Sequence, residues 1–403
     1  MTDPSTLAED VRSGRKRRHD LEEEVDADTA TAARRIALER DHDVSLDAVG
    51  GYGFPAEAAA SNVENMIGAV QLPVGVAGPL PIDGERADRT VELPLATTEG
   101  ALVASVNRGC ALLRRADGVT ARVTADEMTR APVFAVPDVP TGRDAIEWVR
   151  SNEKRLAAAA EETTNYGRLR GIDPHLVGTR LFLRFRFETG DAMGMNMVTI
   201  ATRAACEEIE AETPASLIAL SGNLCSDKKP AAVNAVTGRG RSVTAEATIP
   251  ADVVDAVLHT TPAAMAEIQH SKTFLGSAKA ASLGFNAHAA NVVAAMFLAT
   301  GQDEAHVVEG ANAITTMRER DGDLHATISF ASLPVGTVGG GTGLPSQREA
   351  LELLGVAGGG EPAGAHADAL AECVAAGALA GELSLFGALA SRQLSDAHET
   401  LGR

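Results

Sequence analysis

A long run of small and apolar residues constrains the fold of this chain more than any other feature. It extends from about His366 to Leu394 and predicts a helix that is apolar nearly all round. A helix without a polar face must be buried, either against a large core or against another subunit. The chain has 403 residues, of which 45% are hydrophobic, enough for such a core and for more than one domain.

The charge balance excludes several classes of partner. Asp and Glu number 55 against 36 Lys and Arg, which gives a formal net charge of -19. A field of this sign repels nucleic acids and anionic membranes, so we expect neither as a partner. A basic nucleic-acid arm at residues 12–18 is a minor alternative, because the acidic run at 22–24 cancels its charge. The acidic excess and the 3% aromatic content are typical of proteins made for concentrated salt.

The cysteines and the N-terminus predict the compartment. Cys110, Cys206, Cys225 and Cys373 have no spacing suited to a zinc site, so we expect no metal and a reducing environment. No uninterrupted apolar run reaches about 18 residues, and the N-terminus has no apolar signal core. We therefore expect a soluble, cytoplasmic protein without a membrane anchor.

The pattern of helices and strands predicts three parts. Residues 1–45 are charged and Ala-rich and predict an N-terminal helical segment. Residues 132–219 predict a small α+β module, inserted in a larger domain made of residues 46–131 and 220–403. The fold class is therefore α+β. Within the module the pattern predicts helices at 144–160 and 198–211 and strands at 180–188 and 215–220.

A pair of lysines stands in the segment SGNLCSDKKPAAVN (221–234), which is otherwise small and polar. Lys228 and Lys229 are adjacent in a chain that has only four other lysines. A buried Lys ammonium is a compact charge that can stabilise an oxyanion or take part in proton transfer. A solvated loop charge is the alternative.

The segment GDAMGMNM (190–197) combines small residues with isolated polar groups. Its Gly and Ala residues allow a ligand to approach the backbone closely. Asp191 can accept a hydrogen bond from a ribose hydroxyl, and Asn196 can donate one to a phosphate. Core methionines around a glycine turn are the alternative.

Two further segments predict binding groups. Consecutive glycines in GTVGGGT (336–342) can present backbone N–H groups as an anion nest, with a plain flexible loop as the alternative. His288 and Asn291 in NAHAANVV (286–293) share one helix face, where a structural hydrogen bond is the alternative. The chain has no Rossmann fingerprint, P-loop or HExxH motif.

Taken in order, these segments resemble the class I 3-hydroxy-3-methylglutaryl-coenzyme A (HMG-CoA) reductase family. The resemblance extends from about Glu64 to His398, nearly the whole chain. It implies an oxidoreductase that reduces (S)-HMG-CoA to (R)-mevalonate and free CoA with two NADPH. The matching segments are ENMIGAVQLPVGVAGPL (64–80), TTEGALVASVNRGC (97–110), GDAMGMNM (190–197), SGNLCSDKKPAAVN (221–234), NAHAANVV (286–293), GQD (301–303), GTVGGGT (336–342) and ELSL (382–385).

The resemblance also implies an architecture. The large domain would bind HMG-CoA, and the inserted module would be ferredoxin-like and bind NADPH at a non-Rossmann site. The active site would lie between the subunits of a homodimer or a dimer of dimers.

The resemblance implies roles for individual residues. Lys228 would stabilise the oxyanion, Glu99 would donate a proton and Asp303 would tune both, while His398 would protonate the CoA thiolate. The implied substrate-binding residues are Ser105, Asn107, Arg108, Arg130, Ser221, Asp227, Lys229, Lys272, His288 and Asn291. The implied cofactor-binding residues are Asp191, Met193, Gly194, Met195, Asn196, Met197, Gly340, Gly341 and Thr342.

The chain departs from the family pattern at two places. Ala397 precedes His398, where many members have serine. Thr164 and Asn165 align with a Ser-Arg pair that lies near the 2′-phosphate of NADPH in animal members, and Arg168 is a nearby replacement. Two other functions remain open: an NAD-linked, mevalonate-degrading enzyme of class II type, and a CoA-thioester-binding protein without catalysis.

Overall fold

The computed structural model describes residues 3–391. Its strands are β1 (Val74–Gly84), β2 (Arg89–Ala96), β3 (Val119–Arg130), β4 (Val133–Ala135), β5 (Arg168–Val177), β6 (Arg180–Glu188), β7 (Ser216–Ala219), β8 (Gly240–Ile249), β9 (Ala313–Arg320) and β10 (Asp323–Leu333). Its α-helices are α1 (Pro4–Arg12), α2 (Ala27–His42), α3 (Asp47–Gly50), α4 (Leu102–Arg115), α5 (Val139–Ser151), α6 (Glu153–Glu161), α7 (Met195–Glu212), α8 (Ala232–Thr237), α9 (Ala251–Leu258), α10 (Pro262–Ile268), α11 (Ser277–Ala280), α12 (Ala289–Thr300), α13 (Val307–Gly310), α14 (Pro345–Leu353) and α15 (Ala365–Ala390). Short 3₁₀ helices lie at Arg18–Glu23, Ala56–Ala59, Glu304–His306 and Gly340–Gly343, and a π-helix lies at Gln269–Gly276.

A mixed sheet forms the centre of the larger domain. β1 pairs antiparallel with β2 and parallel with β3, and β3, β8, β10 and β9 follow in antiparallel order. The sequence of β10 alternates, so that Leu324, Ala326, Ile328 and Phe330 are buried while the residues between them are partly exposed. One face of the sheet is therefore apolar and is covered by helices.

The apolar C-terminal stretch forms α15, which is buried within its own chain. It packs on β3, β8 and β10 and against α4 and α12. At the crossing with α4, a Cβ on Gly109 would lie 1.9 Å from the carbonyl oxygen of Ala380, so glycine permits the close approach. By length and composition α15 could cross a membrane, but 83% of its most apolar window is buried inside the described chain. The sequence predicted that this stretch is buried either against a large core or against another subunit. The structure shows burial against the core, so α15 does not require a partner subunit to be buried.

The small module has a ferredoxin-like topology. Its elements follow in the order β4, α5–α6, β5, β6, α7, β7, and its sheet order is β7-β4-β6-β5. Its apolar core, from Met128 to Ala215, is separate from the core of the larger domain. The predicted α+β fold class is confirmed, whereas the domain limits at 132 and 219 stay a prediction.

Two elements of the module differ from the sequence-based expectation. The helix expected at 144–160 is divided into α5 and α6 at Asn152, whose side-chain amide donates to the carbonyl oxygen of Trp148 at 2.9 Å. β5 was not predicted, because Gly171 and Pro174 interrupt its alternation. Within the described chain β5 pairs only with β6, and such an edge strand tolerates proline.

The N-terminal segment forms helices, as its composition predicts. α1 and α2 pack around a small apolar cluster that includes Leu7 and Leu21. Arg34 is fully buried beside this cluster and pairs with Glu22, so the segment is more than a solvated helix.

Candidate active site

A cavity of about 840 Å³ lies where the small module meets the larger domain. Three segments line it: the methionine loop (Gly190–Met197), the lysine loop (Ser221–Pro230) and the glycine loop (Gly336–Thr342). Arg130 and Asp303 complete the wall. The glycine loop, more than 100 residues after the other two in the chain, is thus brought to the same site.

The methionine and glycine loops are joined through their backbones. Ala192 and Val338 form a parallel bridge, and the N–H of Thr337 donates to the carbonyl oxygen of Asp191 at 2.7 Å. Glycine is required at position 336, because a Cβ there would lie 2.3 Å from the backbone nitrogen of Met193. The two loops therefore form one continuous wall.

This wall is suited to an anion. The methionine loop leads into the 18-residue helix α7, whose first residues, Met195–Met197, line the cavity. Unpaired N–H groups and the positive end of the helix dipole favour a phosphate at this position. In the glycine loop, Gly339 and Gly340 have φ values of 79° and 57°, and a Cβ on either would meet open space. A ligand can therefore approach this backbone closely.

Asp191 does not have the free carboxylate that a ribose contact needs. Its two oxygens accept hydrogen bonds from the backbone N–H groups of Gly360, Gly364, His366 and Ala367, at 2.9 to 3.1 Å. Burial acts to raise the pKa of Asp191, but these four donors outweigh it and the net pKa lies below its usual value. Asp191 therefore fixes the start of α15, and its contacts do not support the ribose role that the sequence predicted.

Lys228 and Asp303 form an ion pair that also lines the cavity. Lys228 Nζ lies 2.7 Å from Asp303 Oδ2, and the two side chains are 44% and 33% exposed. The hydrogen bond to Asp303 raises the pKa of Lys228 above its usual value. Burial acts to raise the pKa of Asp303, but the hydrogen bond from Lys228 and the nearby His306 lower it below its usual value. Both groups are therefore charged near neutral pH.

A buried network of Arg239, His306 and Glu309 lies behind this pair, and all three side chains are fully buried. Arg239 pairs with Glu309 and, at 2.8 Å, with Asp227. Ligand atoms of Asp227, His306 and Glu309 lie within 4.8 Å of one another, a spacing that could suit a metal ion. Because the Arg239 guanidinium already supplies positive charge among them, we interpret the cluster as an ion-pair network.

The other residues predicted in the lysine loop and β3 lie around Asp227. Lys229 Nζ donates to the carbonyl oxygen of Asp227 at 2.9 Å. Arg130, the last residue of β3, places Nη1 3.9 Å from Asp227 Oδ2. The Ser221 hydroxyl lies 3.6 Å from Cys225 Sγ. Two cationic side chains, Arg130 and Lys228, thus line the cavity despite the acidic surface, and Lys229 lies next to Lys228 in the lysine loop.

A second group of predicted residues lies at the start of α12. Asn291 Nδ2 donates to Glu99 Oε1 at 3.2 Å. His288 is the residue before the helix, and its buried Nε2 has no hydrogen-bond partner among residues 3–391. The fully buried Glu382 accepts from the N–H groups of Ala287 and His288 and fixes this turn.

Lys272 lies on the π-helix Gln269–Gly276, and its side chain is exposed. Phe274 of this π-helix contacts Phe285, with ring centroids 6.2 Å apart, which places the π-helix beside the turn before α12. π-helical turns are rare in proteins, and those that occur are often found at functional sites.

The two groups of residues are at opposite ends of α12. Thr300 is nine positions after Asn291, about 14 Å along the helix axis, and Asp303 lies beyond that end. The sequence predicted that Glu99 and Asp303 would meet and perturb each other. Within one chain they do not, because Glu99 is bonded at the far end of this helix.

Comparisons with known proteins identify the family. A family model described as hydroxymethylglutaryl-coenzyme A reductase matches residues 30–403. This chain belongs to that family. Among its relatives, the 3-hydroxy-3-methylglutaryl-coenzyme A reductase of Haloferax volcanii is 64% identical over 403 residues and that of Halobacterium salinarum 62% over 402, with 99% or more of each chain covered.

A solved structure gives the same fold. The class II 3-hydroxy-3-methylglutaryl-CoA reductase from Streptococcus pneumoniae, bound to NADPH in open conformations, matches with a TM-score of 0.68 and 21% identity. The match covers 88% of this chain and 86% of that one. At this identity the likeness concerns the fold of the HMG-CoA reductase family alone.

The residues that the HMG-CoA reductase resemblance assigns to CoA already make hydrogen bonds within the chain. Arg108 donates to the hydroxyl and carbonyl oxygens of Ser384 at 3.0 and 2.8 Å, and the hydroxyl of Ser105 lies 2.9 Å from that of Ser384. Burial lowers the pKa of Arg108. The side chain of Asn107 accepts from the N–H of Gly78 at 3.1 Å. Their contacts with CoA stay predictions.

Near the methionine loop, the Thr164 hydroxyl donates to Met197 Sδ at 3.0 Å, so the segment expected near a 2′-phosphate does lie beside this loop. Arg168 is exposed in the same segment. His398 lies outside the described residues.

Sequence reasoning missed the buried network. Asp303, His306 and Glu309 recur at intervals of three in DEAHVVE, a spacing that places them on one side of a helical turn. That signal was available, but their partner Arg239 comes from the residue before β8 and could not be paired with them from the sequence.

Proposed function

We propose that this protein reduces (S)-HMG-CoA to (R)-mevalonate and free CoA with two NADPH in the cytoplasm. The observation that carries the proposal is the Lys228–Asp303 ion pair, which lines the same cavity as the methionine and glycine loops. Family membership supports the reaction, and the free, buried cysteines suit a reducing compartment.

The cavity residues fit a nicotinamide dinucleotide. Each molecule of such a cofactor supplies one hydride, so two molecules in turn would serve the two successive carbonyl carbons. The first turn of α7 and the open backbone of Gly339–Gly340 would hold its phosphates. The relative from Streptococcus pneumoniae that shares the fold is bound to NADPH, which supports the same choice here.

Lys228 would stabilise negative charge in both reductions. Each hydride addition leaves a negative charge on the former carbonyl oxygen, and an ammonium fixed in position lowers the energy of that charge. Asp303 keeps the ammonium protonated and points it into the cavity.

The proton steps would belong to other groups. Glu99 would donate a proton to the alkoxide, and Asn291 holds its carboxyl group by the bond at 3.2 Å. His398 would protonate the departing CoA thiolate, since an imidazole titrates near the working pH. Arg130 and Lys229 would bind the HMG carboxylate.

The reaction also requires a second subunit in this proposal. Because Glu99 and Lys228 belong to groups separated by α12, one chain does not supply both to one thioester carbon. We therefore propose a homodimer, or a dimer of dimers, in which each active site takes Lys228 from one subunit and Glu99 from its partner.

Oxidation of NADPH in the presence of HMG-CoA tests the function. Loss of a preorganised oxyanion donor costs about 100-fold to 1,000-fold in kcat, so Lys228→Ala should fall by at least that factor. Lys279→Ala, which changes an exposed lysine on α11 away from the cavity, is the matched control. Unchanged turnover in Lys228→Ala would contradict the oxyanion role. Wild-type protein that binds HMG-CoA without oxidising NADPH would point to a CoA-thioester-binding protein, and a strong preference for NADH would point to the mevalonate-degrading alternative.

A further inference from the structure

His306 is a buried ionisable group for which the proposed reaction has no use so far. It ends the 3₁₀ turn Glu304–His306, three residues after Asp303, and its side chain has no solvent exposure. Its Nδ1 lies 2.9 Å from Glu309 Oε1. Its Nε2 lies 3.6 Å from Asp303 Oδ2 and 3.8 Å from Asp227 Oδ1, and it has no hydrogen-bond partner among the described residues.

Nδ1 faces Arg239 Nη1 at 3.2 Å as well as Glu309, and the guanidinium N–H can donate to a lone pair on Nδ1. The surroundings of Nε2 therefore determine where the ring carries a proton. Two carboxylates face this nitrogen, so a lone pair would be repelled by both, whereas an N–H would be attracted to both. A contraction of roughly half an ångström brings Nε2 within hydrogen-bond range of Asp303. Such bonds at active sites are often long in the unliganded protein and tighten when the substrate binds.

We propose that His306 is a positioning residue whose Nε2–H holds the Asp303 carboxylate in the orientation that pairs with Lys228. Glu309 holds the other side of the ring, and Arg239 holds Glu309 in turn. This inference rests on the proposed reductase function and adds to it a residue that acts through Asp303 rather than on the substrate.

The charges around the ring determine the sign of the effect. Without the N–H of His306, less positive charge offsets the repulsion between the carboxylates of Asp303 and Asp227. The pKa of Asp303 therefore rises. Asp303 must be ionised to pair with Lys228. As the pH is lowered, the variant should therefore lose activity at a higher pH than the wild-type protein does. The charged groups that face the ring or the wall in front of it are Asp303 and Glu304 on its own turn, Glu309 on α13, Asp227, Lys228 and Lys229 on the lysine loop, Arg239 before β8 and Arg130 at the end of β3.

Two substitutions separate positioning from simple packing. His306→Leu removes the donor, and we expect kcat to fall about tenfold or more, with the KM for HMG-CoA little changed and the acid limb of the kcat profile moved up by roughly half a pH unit. His306→Gln keeps an N–H donor, and we expect it to retain most of the wild-type kcat and the wild-type acid limb. His325→Leu is the matched control, since His325 is mostly buried on β10 and touches Thr248 and Glu246 instead.

Several results would overturn the proposal. It fails if folded His306→Leu keeps the wild-type kcat and acid limb, or if the Gln and Leu variants lose activity equally. If neither variant folds, ¹⁵N spectra of the imidazole nitrogens in the wild-type protein decide, because an Nε2 without a proton contradicts the role. Wild-type protein that does not reduce HMG-CoA would refute the proposed function, and the ¹⁵N measurement would still report on His306.

Discussion

Mixing two inactive variants tests whether the active site is shared between subunits. Glu99→Gln removes the proton donor at one end of α12, and Lys228→Ala removes the ammonium at the other end. Each homo-oligomer should be inactive. A mixed dimer should regain one complete site, because one subunit still supplies Lys228 and the other still supplies Glu99.

The expected recovery follows from the geometry. About 14 Å of α12 lies between Asn291 and Thr300, so the two groups cannot both reach one carbon within a chain. Random reassembly of equal amounts gives about one half mixed dimers, each with one complete site of two. The mixture should therefore show about a quarter of the wild-type rate, and purified mixed dimers carrying two different tags about one half.

The assay is NADPH oxidation with HMG-CoA after the two variants are co-expressed or unfolded and refolded together. A mixture of Lys228→Ala with Asp303→Asn is the control, since both changes fall in the same group and no mixed dimer regains a site. The reasoning is refuted if Glu99→Gln and Lys228→Ala do not complement each other while both variants assemble normally. That result would mean that each active site is built within one chain.

Three further predictions concern the loops and the surface. Asp191→Asn should lower the free energy of unfolding, measured with urea, by about 2 kcal/mol or more. The reason is that an amide cannot accept hydrogen bonds from all four N–H groups at the start of α15. An increase in the KM for NADPH with unchanged stability would instead support the ribose role. Gly336→Ala should weaken NADPH binding measured by fluorescence titration, since its Cβ would meet Met193, whereas Gly343→Ala, which has open space, should bind normally. The melting temperature should rise as the KCl concentration increases from about 0.1 M to 1 M. Over this range the Debye length falls from about 10 to 3 Å, so the self-repulsion of a chain with a net charge of -19 is screened. A melting temperature that falls would contradict this reasoning.

Sequence patterns predicted what depends on local periodicity and composition. The alternating strand at 180–188 and the apolar C-terminal helix were found because their signals repeat every two residues or cover every face. The methionine and glycine loops were found because small residues are required where backbones approach, as at Gly336. The resemblance to the family added the order of these segments.

Contacts between distant segments could not be predicted from the sequence. The sequence predicted a ribose contact for Asp191, and it could not show the actual partners of this carboxylate. The four N–H donors come from residues 360–367, about 170 positions later in the chain. Glu99 and Asp303 were expected to meet, but nothing local in the sequence states which end of α12 faces Glu99, so the sequence could not show that they do not meet within one chain. Arg239 was overlooked since its acidic partners come from a different part of the fold.

The four bonds at Asp191 have a consequence for motion of the small module. They attach the end of its β6–α7 connection to the most deeply buried helix of the larger domain. A rigid rotation of the module that preserves them must have its axis close to residue 191. Opening and shutting would then change the width of the cleft at its outer edge, while the methionine loop stays at a fixed distance from the sheet.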